Sequence, residues 1–350
     1  MILAPTPLFA MLLMVLGILC WGSWAATFKF SGKWRFELYY FDFAIGLAAA
    51  AVLIAFTFGN LGFDGFSVVD DLLHAGKRQW FYGFLAGVLL NFGNMLLLAA
   101  VSVAGLSVAF PLGVGAALIA GTLLQFVIHP AGNSTLLFVG FGFGLVALGF
   151  AASAYRQSIT HRHEDLARRG QARSTRRPSA VKGIVLPLVA GLLMGAGIPI
   201  VQTCSEGELG LGPYAIAMLL SFGFLASTVV FNLFLMNLPV EGEPVDVFDY
   251  FSGSLRQHLL GLAGGTLWTV GTVAILVAIA SVPDRTRATS LEGFPLAQAS
   301  LVVAGIWGLA KWKEFRDAKP ATQALLILSL VLSSCAIALI VMGTANQKLF

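Results

Sequence analysis

Eight side chains in this sequence combine hydrogen-bonding or stacking capacity with a position inside a long apolar run: Trp21, Trp24, Asn91, Asn94, Gln202, Trp268, Thr272 and Gln298. Polar groups are costly in hydrocarbon and, where they occur, face a bundle interior or a water-filled cavity. Each is therefore a candidate solute-binding residue. Asn91 and Asn94 are three residues apart and share a helical face. A carboxamide donates and accepts at once, which suits a neutral solute dense in N–H, C=O or hydroxyl groups. Interhelical bonding with no solute contact is the competing role for every one of these amides. Trp21 and Trp24 lie one turn apart, and Trp268, next to Thr269 and near Thr272, sits at a corresponding depth of the second half. Flat rings stack on planar heterocycles or on the apolar faces of sugars, although tryptophan also gathers at membrane interfaces for no ligand reason.

Asp42, flanked by Tyr39 and Tyr40, is the best-placed intramembrane carboxylate and the candidate for proton coupling. Pairing with Lys29, Lys33 or Arg35 is its alternative. The histidines, His74, His129, His161, His163 and His258, all fall at loops or span ends and suggest no relay. There is no GxxxxGK[ST] phosphate loop, no HExxH, no GxSxG and no Cys/His cluster, so no catalytic residue, metal or cofactor is expected. Cys20, Cys204 and Cys335 are odd in number and lack metal spacing, which argues against a disulfide scaffold.

The elements that hold these residues must cross a membrane. Of 350 residues, 58 % are hydrophobic and only 11 % charged, whereas soluble domains carry roughly 25 % charge. Ten apolar runs are long enough to span, at about 7–30, 38–59, 79–103, 106–128, 133–155, 182–203, 212–238, 254–282, 288–310 and 322–346. The runs are continuous rather than alternating, which excludes a transmembrane barrel. The fold class is an all-α polytopic membrane protein. The first run has no Lys or Arg before it and is too long for a signal peptide, so it is expected to stay attached.

A hydrophilic stretch, 156–181, divides the ten spans into two sets of five, giving a first unit at 1–155, a basic linker, and a second unit at 182–350. Because five is odd, a repeated unit would be inverted. Phe110-Pro111-Leu112 followed by Ala120-Gly121 recurs as Phe294-Pro295-Leu296 followed by Ala304-Gly305, with ten residues from Pro to Gly each time. Upstream, Gly87 and Gly93 are six apart, as are Gly265 and Gly271, at points where helices can approach closely. An insertion around Asp284–Thr289 accounts for the longer spacing in the second copy. Pro111 and Pro295 are hinge candidates if helices bend there around a cavity, and structural kinks otherwise.

The formal charge of +4 raises the question of a nucleic-acid partner, and placement answers it. Of 21 Lys and Arg, 16 lie between odd-numbered spans and their successors, seven of them Arg in the linker. The excess of basic residues marks the cytoplasmic side, so both termini are expected outside, the linker cytoplasmic, and nucleic acid no partner. The expected partners are the lipid bilayer and a small-molecule solute, with a homodimer left open.

Cys20-Trp21-Gly22-Ser23-Trp24, Lys33-Trp34-Arg35-Phe36-Glu37-Leu38, Tyr40-Phe41-Asp42, Ile54-Ala55-Phe56-Thr57-Phe58-Gly59, Gly93-Asn94 and Gly105-Leu106-Ser107-Val108 together resemble the ureide permease family of the drug/metabolite transporter (DMT) superfamily. The resemblance is dense over 17–130 and thinner beyond. It implies the ten-helix fold of two inverted five-helix repeats and secondary transport, often proton-linked. The resemblance extends to glucose/ribose and rhamnose porters. The leading expectation is a secondary active transporter moving a ureide, nucleobase or similar small neutral polar solute across the inner membrane by alternating access. A sugar uptake carrier and a drug or metabolite efflux carrier are the alternatives.

Overall fold

The computed structural model describes residues 1–62, 64–168, 179–281 and 293–345. Within them, ten helices are long and apolar enough to cross a membrane: Pro7–Phe30, Phe36–Thr57, Lys77–Ala104, Leu106–Ile128, Ser134–Glu164, Ala180–Cys204, Pro213–Asn237, Leu255–Ala280, Gly293–Lys311 and Pro320–Ala345. These are spans 1 to 10 below. In hydrocarbon a helix is the one open-chain form that satisfies its backbone internally, and the sequence marks where each begins. Thr6 accepts from the backbone N–H of Phe9 ahead of Pro7. Ser254 and Gln257 form a capping box at the start of span 8. Gly105, at φ +82°, ends span 3 and starts span 4 without an intervening loop.

Three elements depart from the sequence expectation. Span 5 does not stop at residue 155: its helix continues to Arg168, taking up the first part of the expected linker. The stretch after Tyr155 contains no Gly or Pro before Gly170 and is rich in good helix formers. At about 1.5 Å per residue its 35 residues reach roughly 50 Å, well beyond a bilayer core of about 30 Å. Arg173, Arg176 and Arg177 of the linker, and the expected insertion at 284–289, lie outside the described residues. Second, a short helix, Val68–His74, and a 3₁₀ helix, Val247–Ser252, occupy loops that carry no apolar periodicity. Third, span 9 is not one uniform helix. Around Gln298 it tightens into i→i+3 hydrogen bonds, Gln298 to Pro295 and Leu301 to Gln298, then resumes as Ser300–Ile306 and ends in a π turn, Trp307–Lys311. Pro295 lies in the first turn of the described helix, while Pro111 sits inside an unbroken one.

Glycines set the packing. Gly87 of span 3 abuts Leu220 and Gly223 of span 7, and Gly265 of span 8 abuts Phe43 and Leu47 of span 2. Gly93 of span 3 meets Ala190 and Met194 of span 6, and Gly271 of span 8 meets Gly17, Cys20 and Trp21 of span 1. The two glycine pairs thus do the same work on partners five spans apart. The wider packing follows the same exchange: 1 with 8 matches 6 with 3, 1 with 9 matches 6 with 4, and 2 with 8 matches 7 with 3, while 2 with 7, 4 with 9 and 5 with 10 map onto themselves. The later pair breaks the pattern, since Gly121 meets Gly195 and Ile198 of span 6 but Gly305 meets Leu330 of span 10.

A methyl group at Gly265 would stand 2.0 Å from the Phe43 carbonyl oxygen, with backbone on both sides and nothing free to yield. Gly265→Ala is therefore expected to destabilise the bundle by about 1–3 kcal/mol, read as a lower melting temperature of the detergent-solubilised protein. Gly142→Ala, where a Cβ meets nothing within 4 Å, should leave it unchanged.

Candidate functional site

Six of the eight candidate solute residues, Trp21, Trp24, Asn94, Trp268, Thr272 and Gln298, line one cavity enclosed by spans 1, 3, 4, 6, 7, 8 and 9. Its flat wall is built by Trp21 and Trp268, stacked with ring centroids 6.1 Å apart and 23° between planes. The Trp21 indole N–H donates to Thr272 Oγ1 at 3.1 Å, and the Thr272 hydroxyl donates to the Trp268 carbonyl at 2.9 Å, which locks the pair of rings together. Trp24 is backed by Phe43 and Phe110. Much of the remaining wall is aliphatic, including Leu90, Met194 and Leu276.

Asn91 and Gln202 are not in this wall. Asn91 is fully buried where spans 2, 3 and 7 meet: its Nδ2 reaches the Phe224 carbonyl at 3.1 Å and Ser227 Oγ at 2.8 Å, and its Oδ1 takes the Tyr40 hydroxyl at 2.9 Å. It serves interhelical bonding, because three residues of spacing still turn it about 60° from Asn94. Gln202 lines a neighbouring vestibule with Gln125, His129 and Thr344, and Gln298, Phe294 and Ile198 border both spaces. Phe110 and Ser300 line the cavity and Tyr40 stands behind it; none is singled out by the sequence as a binding residue, Phe110 being marked only by the Phe-Pro-Leu repeat.

An even number of spans puts both chain ends on one side. The vestibule opens toward that terminal side, where His129 Nε2 and Glu206 Oε1 stand 3.8 Å apart. The linker side is shut. Below Trp24 and Phe110, Phe30, Trp307 and Trp312 pack on one another, and the Trp307 indole donates to Ser23 Oγ at 2.9 Å. Beneath them Glu314 accepts from the backbone N–H groups of Leu106 and Ser107 at 2.9 Å, from the Ser107 hydroxyl, and from Lys29. A carboxylate on the first N–H groups of a helix is favoured by both hydrogen bonding and the helix dipole. Gly105 makes room for it, since a Cβ there would stand 2.7 Å from the carboxylate. A wide crevice lined by Lys29, Gly105 and Glu314 lies on the linker side of this latch.

Asp42 does not pair with any of the cations expected for it. Lys29 is taken by Glu314 and Arg35 by Glu37. Instead Asp42 Oδ2 lies 2.8 Å from His258 Nδ1, and Oδ1 accepts the Tyr250 hydroxyl at 2.5 Å. His258, at a span end where the sequence suggests no relay, is thus brought against Asp42 from 216 residues away, and the loop that carries Tyr250 folds back over span 2. Burial and the adjacent Asp42 carboxylate raise the Tyr250 phenol above its ordinary range, so it stays protonated and donates. Gly261 gives Asp42 its space. Asp42 lies outside the cavity wall. Among the described residues no His, Cys, Asp and Glu group could hold a metal.

The family model described as ureide permease matches residues 39–182, a stretch that contains Asp42, Asn91, Asn94 and the Gly105–Ser107 turn. Ureide permease 4 of Arabidopsis thaliana is 22 % identical, with 96 % of this chain and 97 % of that protein covered. Ureide permease 1 of the same plant is 21 % identical over the same shares. The chain is similar to these ureide permeases over nearly its whole length. Like them it is an integral, multi-pass membrane protein, and it is a transporter rather than an enzyme.

Replacing Glu314 by Gln removes the charge from the latch and sets an N–H₂ group against the N–H donors of span 4. In a variant carrying Ser300→Cys as its one cysteine, this should raise labelling by an impermeant maleimide from the linker side by about tenfold. Unchanged labelling would show that the aromatic packing alone closes that side.

Proposed function

We propose that the chain is a secondary active transporter that carries a small, flat, neutral solute of the ureide or nucleobase type by alternating access. The observation that carries this reading is a central cavity, walled by stacked indoles and lined by amides, that is latched toward one side and approached by a vestibule from the other. The exchange of packing partners between spans five apart, with Gly87 and Gly93 echoed by Gly265 and Gly271, supports two inverted five-helix units. Inverted units give a carrier two conformations that differ by which half leads. The distribution of basic residues supports a cytoplasmic linker side and external termini in the inner membrane.

Proton coupling rests on Asp42 and His258. A proton gained or lost by this pair alters the joint between spans 2 and 8, and span 8 carries Trp268 and Thr272 into the cavity. The coupling group thus acts on the site through helix packing rather than by touching the solute. Asp42→Asn should abolish accumulation driven by a pH gradient in proteoliposomes while leaving solute counterflow; loss of both would remove Asp42 from the coupling role.

The aliphatic share of the cavity wall favours a second reading, export of an amphipathic compound. Asn91 cannot discriminate the two, because its substitution disturbs three spans. Asn94 and Gln298 can. Uptake of radiolabelled uracil or allantoin should fall by about tenfold in Gln298→Ala and in Trp21→Ala if polar recognition operates; indifference to Gln298→Ala favours export.

A further inference from the structure

We infer that the solute is read by amide oxygens held in one orientation from behind, and that Tyr40, which does not border the cavity, is the positioning residue that sets this polarity. The inference rests on the transport reading above and specifies what the cavity selects: a solute that presents N–H donors along its edge.

The orientation follows from which atoms can only accept. The Phe224 carbonyl cannot donate, so the Asn91 atom 3.1 Å from it is the nitrogen. Asn91 Oδ1 then faces the Tyr40 hydroxyl at 2.9 Å and, as a carbonyl oxygen, obliges Tyr40 to donate. The Tyr40 oxygen is left as an acceptor, and it is met at 3.2 Å by Asn94 Nδ2. With its nitrogen committed behind the wall, Asn94 has its Oδ1 left for the cavity it lines. All three residues are buried, Tyr40 and Asn91 completely, so no water competes for these bonds.

A second amide obeys the same logic independently. Gln298 Nε2 donates to the Phe294 carbonyl at 3.3 Å, in the tightened turn of span 9, which leaves its Oε1 for the two spaces the residue borders. In the vestibule, Gln125 Oε1 is buried without a hydrogen-bond partner. Thr272 adds nothing, its hydroxyl and the Trp21 N–H being spent on each other and on Trp268. Trp24 and Ser300 carry the N–H and O–H that answer a solute carbonyl. A flat lactam or ureide, with N–H and C=O alternating around its edge, matches this lining.

The test compares initial uptake of uracil and 1,3-dimethyluracil by the full-length protein in proteoliposomes. The two share a ring and both carbonyls and differ in N–H against N–CH₃. Wild type is expected to show a KM at least about tenfold higher for the dimethyl compound. Tyr40→Phe, which frees the Asn94 amide to turn, should shrink that ratio toward unity. Asn94→Leu, which removes the acceptor at a site bordering open space, should do the same and serves if Tyr40→Phe does not fold. Rejection of the methyl groups for bulk alone would survive both substitutions and overturn the inference, as would equal KM values in wild type. Uptake of neither compound by wild type would overturn the transport reading and this inference with it.

Discussion

A carboxamide placed among lipid-facing helices has no water to turn to, and the arrangement of this protein around Asn91 is the outcome of that constraint. Its nitrogen and oxygen recruit Phe224, Ser227 and Thr228 from span 7 and Tyr40 from span 2. Three helices are thereby held in register at the level of the cavity. The same bonds stiffen Tyr40, which in turn holds Asn94, so a satisfied structural amide stands directly behind an amide that lines the cavity. Hydrogen bonds inside a bundle are individually modest. Their value here is directional: they decide which atom of the next residue faces inward.

Close approach of backbones is the second constraint, and it determines where such networks can form. Spans 3 and 8 carry the paired glycines, and each is pressed against two partners in the other half. Neither half can form its own core from its own five helices, because the largest interfaces run between halves. Span 5 and span 10, by contrast, pack chiefly on each other, and the helix of span 5 runs on past the membrane. The cavity therefore lies within the interleaved helices, and the paired outer helices stand apart from it.

The ten spans were legible because hydrophobic runs of that length have few other uses, and six residues of the cavity wall were legible because polar or flat side chains in such runs have few places to go. The partition of Asn91 from Asn94 was not. Spacing places both on one face, and which of them meets solute depends on the neighbours packed there. The partner of Asp42 was hidden for a similar reason: His258 and Tyr250 come from the far end of the chain and from a 3₁₀ turn without periodicity. Glu314 lies past the last turn of span 9, among Lys and Arg residues that suggest an ordinary solvated loop. Its role follows from the fold alone, which brings it onto the exposed N–H groups that Gly105 leaves at the head of span 4.

The amide oxygens of Asn94 and Gln298 have a further consequence for what stays outside. A carboxylate or phosphate entering between them would set lone pairs against lone pairs, beneath the electron-rich faces of Trp21 and Trp268. Among the residues lining the cavity there is no Lys, Arg or His to receive it. On the proposed reading an anion finds no countercharge at this wall, so selection for a neutral solute comes from refusal as much as from fit.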